Sequence, residues 1–250
     1  MAVSIFAVSA CSDNDNQVTN PPSFTPAPVV TYAQLKAALD SARAEANGGF
    51  NLDMWATVVD RSGIVVAVAF SGAAVGDQWP GSRVISAQKA NSANAFSLPT
   101  LALSTANLYA ATQPGGTLFG LQASNPINED AAYGGNSADY GSTRDYMIGK
   151  RIGGINVFGG GFALYDSTGT LLGGVGVSGD ASCADHNIGW KVRYNLHLDH
   201  VPTGVSPTGD DNIIYDIVNG VSASGFGHPT CSGAATTIGQ ALPTTNPINH

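Results

Sequence analysis

The residues best suited to chemistry lie in one short segment of the chain, Ser-Cys-Ala-Asp-His at positions 182–186. The glycine-rich run before it, residues 173–180, is predicted to be a small-residue strand that ends in a Ser-Gly turn and leads into a helix. A helix N-terminus stabilises carboxylates, thiolates and bound anions through its unpaired N–H groups and its dipole. The segment is therefore either a functional site or an ordinary capped helix start.

The helix that follows is predicted to have two distinct faces. Its aliphatic stripe should face a sheet, while its aromatic and basic side chains should look toward a cleft or a neighbouring subunit. Such side chains hold flat aromatic ligands that carry carboxylates, and they are also enriched at protein interfaces. Both interpretations stay open. The stripe is Ile188, Val192 and Leu196, and the second face is His186, Trp190, Arg193 and His197.

The cysteines indicate an exported protein. A short apolar run, residues 3–8, leads to Cys11 and resembles the tail of a bacterial lipoprotein signal peptide, although no basic residue precedes it. Cys11 would then be the lipid anchor. Residues 12–30 are polar and proline-rich, as in a flexible tether. This predicts a protein of the bacterial cell envelope, periplasmic or on the outer surface, that meets the membrane only through its anchor.

The two remaining cysteines, Cys183 and Cys231, are predicted to form a disulfide, which exported proteins commonly use. That bond would pin the C-terminal tail against the helix that carries His186. The rival interpretation is a reactive thiolate at Cys183, whose pKa the helix N-terminus would lower. The disulfide is favoured because Cys231 otherwise has no evident purpose.

Composition limits the classes of partner. The 250 residues are 43% hydrophobic, enough for one sizeable core. The net charge is −8 and the sequence contains no cluster of Lys and Arg, which argues against nucleic acid as a partner.

The pattern of apolar residues predicts helices and hairpins in one antiparallel sheet packed between helices, to which residues 153–158 also contribute. Residues 113–150 are too long for an ordinary loop and form either a functional lid or an elaboration. The predicted helices cover residues 32–47, 83–96 and 100–111, and the predicted hairpins cover residues 54–70 and 162–177.

Familiar catalytic motifs fail on inspection. A nucleophile elbow needs a glycine two places after its serine, but Ser178 is followed by Gly179 and then Asp180. This weakens the case for a serine hydrolase. His186 and His228 would share a zinc ion only if the disulfide brought them together, and a third ligand is not evident.

Five segments together resemble the GlcG/HbpS-type haem-binding family, which includes a domain attached to some cobalamin adenosyltransferases. The resemblance spans about residues 31–199, and this chain adds the insertion 113–150 and an extension, residues 200–250, that the disulfide would pin to the domain. It implies an α+β fold with a five-stranded antiparallel sheet in three α/β/α layers, profilin-like, with homo-oligomers and a haem or related tetrapyrrole ligand. The segments are QLKAALDSARAEA, ATVVDRSGIVVAVAFSGA, SAQKANSANAF, GGINVFGGG and GGVGVSGDASCADHNIGW.

Haem needs an axial donor, an apolar slot and cations for its propionates. On this interpretation His186 is the best iron ligand, and the protein serves haem sensing, storage or turnover. Trp190 and Phe158 would stack on the ring. Lys89 is alternatively an ordinary surface lysine. The cations expected to meet the propionates are Arg193, Lys89 and Arg83, and the weaker ligand candidates are His197, His200, His228 and His250.

Two other functions stay open. The chain is alternatively an enzyme acting on a small organic acid, with His186 as a general base that Asp185 or Asp180 orients. It is alternatively a corrinoid-binding module that uses the same flat pocket.

Overall fold

The computed structural model describes residues 29–250 of the chain. The expected lipid anchor, Cys11, and nearly all of the expected tether lie outside the described residues. No helix within the described range is long and apolar enough to cross a membrane. The elements in chain order are α1 (Tyr32–Ala44), β1 (Trp55–Asp60), β2 (Val65–Phe70), α2 (Ser82–Phe96), α3 (Tyr109–Thr112), α4 (Glu129–Tyr133), β3 (Gly161–Tyr165), β4 (Leu171–Ser178), α5 (Ser182–Asn195), β5 (Ile217–Val218), β6 (Val221–Ser222) and α6 (Gly233–Thr245).

The central sheet has four antiparallel strands in the order β2-β1-β4-β3. Both predicted hairpins are present, but the expected five strands are not, because residues 153–158 are irregular. Gly153 and Gly154 have φ of 67° and 74°, in the left-handed region, so the chain cannot run extended there. The Asn91 side chain of α2 instead donates a hydrogen bond to the Gly154 carbonyl at 2.8 Å.

Helices cover both faces of this sheet, which gives the predicted α/β/α arrangement. α1 and α5 pack on one face, and α2 packs on the other. The aliphatic stripe of α5 joins α1 and the inner strands in one core cluster, as the sequence predicted. The members of the stripe are Ile188, Val192 and Leu196.

The glycines of β4 allow α2 to lie close to the sheet. A Cβ atom at Gly176 would stand 2.0 Å from the Ser86 carbonyl oxygen, and one at Gly174 would stand 2.5 Å from that of Ala90. Only glycine fits where two backbones approach so closely. The glycine-rich run that precedes residues 182–186 therefore allows α2 to pack closely on the sheet.

The insertion is built into the core beside α2. Arg83 was expected to meet a haem propionate, and this is wrong: its side chain is buried, with Nη2 2.5 Å from Asp145 Oδ1 and Nη1 2.7 Å from the Ala132 carbonyl. The Val65 N–H of β2 also donates to the Lys150 carbonyl, so the insertion covers that edge of the sheet.

The predicted helix over residues 100–111 is largely wrong. Only a 3₁₀ turn at Thr105–Leu108 and the four residues of α3 are helical. The Ala102 N–H donates to the Thr203 carbonyl of the C-terminal extension, and this pairing holds the preceding residues out of a helix.

The C-terminal extension lies over α5. It contributes the β5–β6 hairpin and α6, and α6 packs directly on α5. The predicted disulfide between Cys183 and Cys231 is present, and it joins the first turn of α5 to the segment before α6. The extension therefore covers a helix face that the sequence suggested was open.

Candidate functional site

His186 does not face a cleft, contrary to expectation. Its side chain is fully buried, with Nε2 3.1 Å from both Asn212 Oδ1 and the Ile213 backbone N, and its ring centroid lies 4.7 Å from that of Phe162. Burial lowers the pKa of His186 to about 3, so the ring is neutral at pH 7. Because the extension seals the imidazole, His186 cannot act as an open iron ligand in this conformation.

The neighbouring side chains on the same face are sealed too. Trp190 is 1% exposed and donates from Nε1 to the Asn246 carbonyl at 2.8 Å. Arg193 is also 1% exposed, and its two terminal nitrogens each lie 2.7 Å from a carboxylate oxygen of Asp211. The expectation that Trp190 stacks on a ligand and Arg193 meets its carboxylates is therefore wrong. The extension satisfies both side chains itself.

The arrangement expected for an enzyme acting on a small organic acid is not present around His186 either. The Asp180 carboxylate accepts hydrogen bonds from the backbone N–H groups of Phe50, Leu52 and Ala181, and so it fixes the loop before β1. Asp185 bonds to α2 and to the Asp180 N–H. Neither carboxylate orients the imidazole as predicted.

An open cleft of about 280 Å³ lies instead at the N-terminus of α5, and we call it the α5 cleft. It brings together six residues that the sequence analysis named and adds four that it did not. The six are Lys89, Phe158, Ser178, Asp180, Ser182 and Asp185, and the additions are Trp79, Gly81, Ser82 and Ile85.

A buried ion pair borders the cleft. Lys89 Nζ lies 2.7 Å from Asp185 Oδ2 and 3.1 Å from the Val177 carbonyl, and both side chains are almost completely buried. Burial raises the pKa of Asp185 to about 6 against the opposing effect of the Lys89 charge, and burial lowers the pKa of Lys89. The alternative of a surface lysine at position 89 is therefore wrong.

Two aromatic side chains flank the same cleft. Phe158 is 47% exposed and Trp79 is 53% exposed, so each presents ring surface to solvent. Rings in such positions contact planar apolar groups by stacking. The arrangement combines aromatic walls with a buried cation.

Ser182 and His228 form a hydrogen-bonded pair beside this ion pair. Ser182 Oγ lies 2.8 Å from His228 Nε2, and His228 Nδ1 lies 2.7 Å from the Pro229 carbonyl oxygen. The Gly159 N–H donates to Ser182 Oγ at 2.8 Å. Burial lowers the pKa of His228 to about 4. The sequence contained a signal for this pair, because the predicted disulfide partners lie one and three residues away.

The remaining histidines are remote from these contacts. His250 Nδ1 lies 2.6 Å from Asp199 Oδ2, and its ring stacks on that of Tyr194 at 3.7 Å. His197 is exposed and lies near His250, with ring centroids 4.7 Å apart. His200 is half-buried. Across residues 29–250, no group of three or more His, Cys, Asp or Glu side chains is placed to hold a metal ion.

A larger groove of about 760 Å³ lies between residues 109–117 and the β5–β6 hairpin. Tyr109 borders this groove, and its ring lies 5.0 Å from that of His228 and 6.4 Å from that of Phe158. The groove is lined mainly by small and apolar residues. It lacks the buried charged groups that border the α5 cleft.

The α5 cleft fits a tetrapyrrole in part. Its aromatic side chains suit part of a flat ring, since the volume of about 280 Å³ is small for a whole macrocycle, but none of its lining residues is a His, Cys, Met or Tyr, the usual axial ligands of haem iron. The described site therefore fits part of the ring, without offering one of these iron donors or an unpaired cation for the acidic substituents.

Comparisons with known proteins identify the family to which this chain belongs. A comparison with curated proteins found no significant match. Among solved structures, the chain is similar to a PduOC–haem complex (21% identity, 65% of this chain and 89% of that chain, TM-score 0.45). It is also similar to the Klebsiella pneumoniae protein ORFY (24% identity, 67% and 90%, TM-score 0.45). The family model described as haem-degrading protein, HbpS-like, matches residues 30–192. Since this match spans more than half of the chain, the protein belongs to the HbpS-like family.

Proposed function

We propose that this protein binds haem, or a related tetrapyrrole, in the α5 cleft. The observation that carries the proposal is the pair of half-exposed rings, Phe158 and Trp79, flanking a cleft that also contains Lys89. Membership of a family described as haem-degrading supports the same ligand class. A bound haem would supply a redox-active iron.

Different residues of the cleft would contact different parts of such a ligand. Phe158 and Trp79 contact the faces of the macrocycle, and each aromatic contact of this kind contributes about 1 kcal/mol. Lys89 was expected to meet a carboxylate of the ligand, but its ammonium group is buried and already paired with Asp185, so it adds no free positive charge to the cleft. Because two carboxylates also border the cleft, a ligand with few negative charges is favoured over a highly anionic one.

The iron is not expected to bind the imidazole of His186. The ring is sealed by Asn212 and Phe162, and exposing it would require the extension to move away from α5. A His186→Gln variant should therefore show the same absorbance spectrum with haemin as the wild type. An imidazole-ligated spectrum that disappears in this variant would show that the extension opens and that the ligand enters elsewhere.

Titration with haemin tests the site. We expect a Soret shift on binding and quenching of Trp79 fluorescence, while the buried Trp55 and Trp190 contribute a background that a Trp79→Phe variant reveals. Phe158→Ser should weaken binding about tenfold. The matched control is Phe119→Ser, since Phe119 is 66% exposed and does not line the cleft.

If the two phenylalanine variants changed haemin affinity equally, or if neither changed it, the assignment of the binding site to the α5 cleft would be overturned. A spectrum identical to that of free haemin at every protein concentration would overturn haem as the ligand. Titration with a cobalt corrinoid in place of haemin then tests the corrinoid alternative in the same cleft.

The cell-envelope location and the lipid anchor at Cys11 form part of the same proposal. The disulfide supports an oxidising compartment, since such bonds are rare in the bacterial cytosol. In the native host, Cys11→Ala should release the protein from the membrane fraction; unchanged fractionation would overturn the anchor.

Roles in sensing, storage or turnover, and the homo-oligomer that the family resemblance implies, are likewise proposals. Light scattering of the purified protein tests the oligomer.

A further inference from the structure

We propose that Ser182 and His228 form a nucleophile–base pair that hydrolyses small carboxylic esters in the α5 cleft. This activity goes beyond haem binding and does not depend on it. It rests on the hydrogen bond between the two side chains, the tautomer that the surroundings impose on the imidazole, and the position of Ser182 at the cleft.

The imidazole of His228 is held in the tautomer that a general base requires. The Pro229 carbonyl oxygen, 2.7 Å from Nδ1, accepts hydrogen bonds but cannot donate one, so Nδ1 carries the proton. Nε2 is then left with a free electron pair, 2.8 Å from the Ser182 hydroxyl. Burial keeps the ring neutral at pH 7, since it lowers the pKa of His228 to about 4. Lys89 contributes to the same shift.

Ser182 is the member of the pair that a substrate reaches. Its side chain is partly exposed and lines the cleft, whereas His228 is 3% exposed and lies behind it. The hydroxyl proton points to His228, and the Gly159 N–H donates to the same oxygen at 2.8 Å. This backbone donor fixes the position of the Ser182 oxygen.

Covalent and packing constraints fix this geometry. The disulfide joins Cys183, next to Ser182, to Cys231, three residues after His228. The loop that carries Gly159 lies so close to α5 that a Cβ atom there would stand 2.5 Å from the Ser182 carbonyl oxygen. The nucleophile and its base therefore come from different parts of the chain, which the disulfide holds together.

The surroundings favour an uncharged substrate with an apolar or aromatic group. Phe158 and Trp79 provide surface for that group, and the volume of about 280 Å³ limits its size. The Lys89–Asp185 pair is neutral as a unit, and Asp180 adds a carboxylate at the rim that disfavours acidic substrates. A short-chain aryl ester meets these requirements.

The reaction balances without a metal or an oxidant. Ser182 Oγ bonds to the ester carbonyl carbon while its proton passes to His228 Nε2, and the bond from that carbon to the aryl oxygen then breaks as the proton moves to this leaving oxygen. Water next attacks the acyl carbon and gives a proton to Nε2, which returns it to Ser182 Oγ as the acyl group leaves. The products are a phenol and a carboxylic acid.

A fluorophosphonate probe tests the nucleophile in the full chain without haem. The probe bonds to an activated serine oxygen and releases fluoride, and peptide mass mapping identifies the modified residue. We expect the label on Ser182, and we expect Ser182→Ala to lose both the label and hydrolysis of p-nitrophenyl butyrate. Ser124→Ala is the control, because Ser124 is exposed and lies in the insertion.

The base is tested with His228→Gln, which keeps a polar side chain of similar length. Labelling and hydrolysis should slow about a hundredfold or more, with circular dichroism confirming that the variant is folded. The wild-type rate should be flat from pH 7 to pH 8, above the pKa of His228 and above that of Asp185, which borders the same cleft. A label on another serine, or folded variants that react at the wild-type rate, would overturn the proposal and leave the pair a purely structural contact.

Discussion

Nε2 of His186 lies 3.1 Å from Oδ1 of Asn212, a contact between the fifth helix and the C-terminal extension. The amide nitrogen of Asn212 donates to the Gly239 carbonyl at 2.9 Å, so the same side chain also ties α6 into the cluster. The helix face that carries His186 is consequently interior surface. Any chemistry of this helix is shifted to its N-terminus, where Ser182 remains accessible.

The burial of His186 should make its contribution to stability depend on pH. Its folded pKa of about 3 is below the unfolded value of 6.5, so the unfolded chain binds the proton first and stability falls as the pH drops below 6.5. His186→Gln removes this loss. Relative to wild type, the variant should gain roughly 2 to 3 kcal/mol between pH 6.5 and pH 4.5.

Urea unfolding at several pH values measures this difference. His228, whose folded pKa is also lowered, acts in the same direction in both proteins. Asp185 acts in the opposite direction, because its raised pKa of about 6 gives stability that is lost as the pH rises through that value. Both effects cancel in the comparison. Parallel stability curves for the two proteins would mean that the His186 ring is hydrated.

Replacing only one member of the ion pair between Arg193 and Asp211 should strongly lower the stability of the protein. Both side chains are essentially unexposed, so Arg193→Met leaves an unpaired buried carboxylate and should lower the free energy of unfolding by about 3 to 5 kcal/mol. The double variant Arg193→Met, Asp211→Leu removes both charges and should recover much of that loss.

Denaturant unfolding of the single and double variants gives the coupling energy of this pair. The matched control is the surface pair of Arg144, whose side chain is 76% exposed, and Asp139. Breaking it should change stability by about 1 kcal/mol or less. Similar losses for the two arginine variants would contradict the burial of Arg193.

Local sequence signals predicted the elements whose contacts are local. The capping box at Thr31 and Gln34 forms as expected, and both hairpins turn where Asp and Gly placed the turns. The predictions of a fifth strand and of a helix over residues 100–111 were wrong because contacts with residues distant in sequence determine the conformation of those segments. One such partner is Thr203, whose carbonyl accepts from the Ala102 N–H.

The site was predicted less well, for a related reason. Helical periodicity shows that His186, Trp190 and Arg193 lie near one another, but it does not show what covers them. The covering residues, such as Asp211, come from an extension without a recognisable motif. The disulfide was predictable, and with it the proximity of Ser182 to the segment that carries His228 could have been inferred.

Removal of the disulfide should destabilise the protein strongly. The bond closes a loop with a sequence separation of 48, and the chain-entropy estimate for such a loop is about 4 kcal/mol. The variant Cys183→Ala, Cys231→Ala should lose about this amount in urea unfolding. Its rate of probe labelling at Ser182 should also fall under conditions where the variant is folded, because His228 is no longer tethered. A loss below about 1 kcal/mol would show that packing alone holds the extension.

Substitution of Gly159 should disturb the loop beside Ser182. The added Cβ atom of Gly159→Ala would stand 2.5 Å from the Ser182 carbonyl oxygen and 2.8 Å from the His186 Cβ atom. The loop must shift, so the variant should lose about 1 to 3 kcal/mol of stability and label more slowly. Gly233→Ala is the control, because a Cβ atom at this first position of α6 meets nothing within 4 Å. Equal stability of the two variants would contradict the close packing.

Haemin should protect Ser182 from the fluorophosphonate probe if the two proposed activities share the α5 cleft. Phe158 and Trp79 flank the space through which the probe reaches the serine, so a bound ring blocks that approach. The labelling rate, followed by mass spectrometry, should fall with increasing haemin and reach half of its initial value near the dissociation constant from the Soret titration. In Phe158→Ser, protection should require about tenfold more haemin. Tight haemin binding without protection would place the ligand outside this cleft and leave the Ser182–His228 pair unaffected.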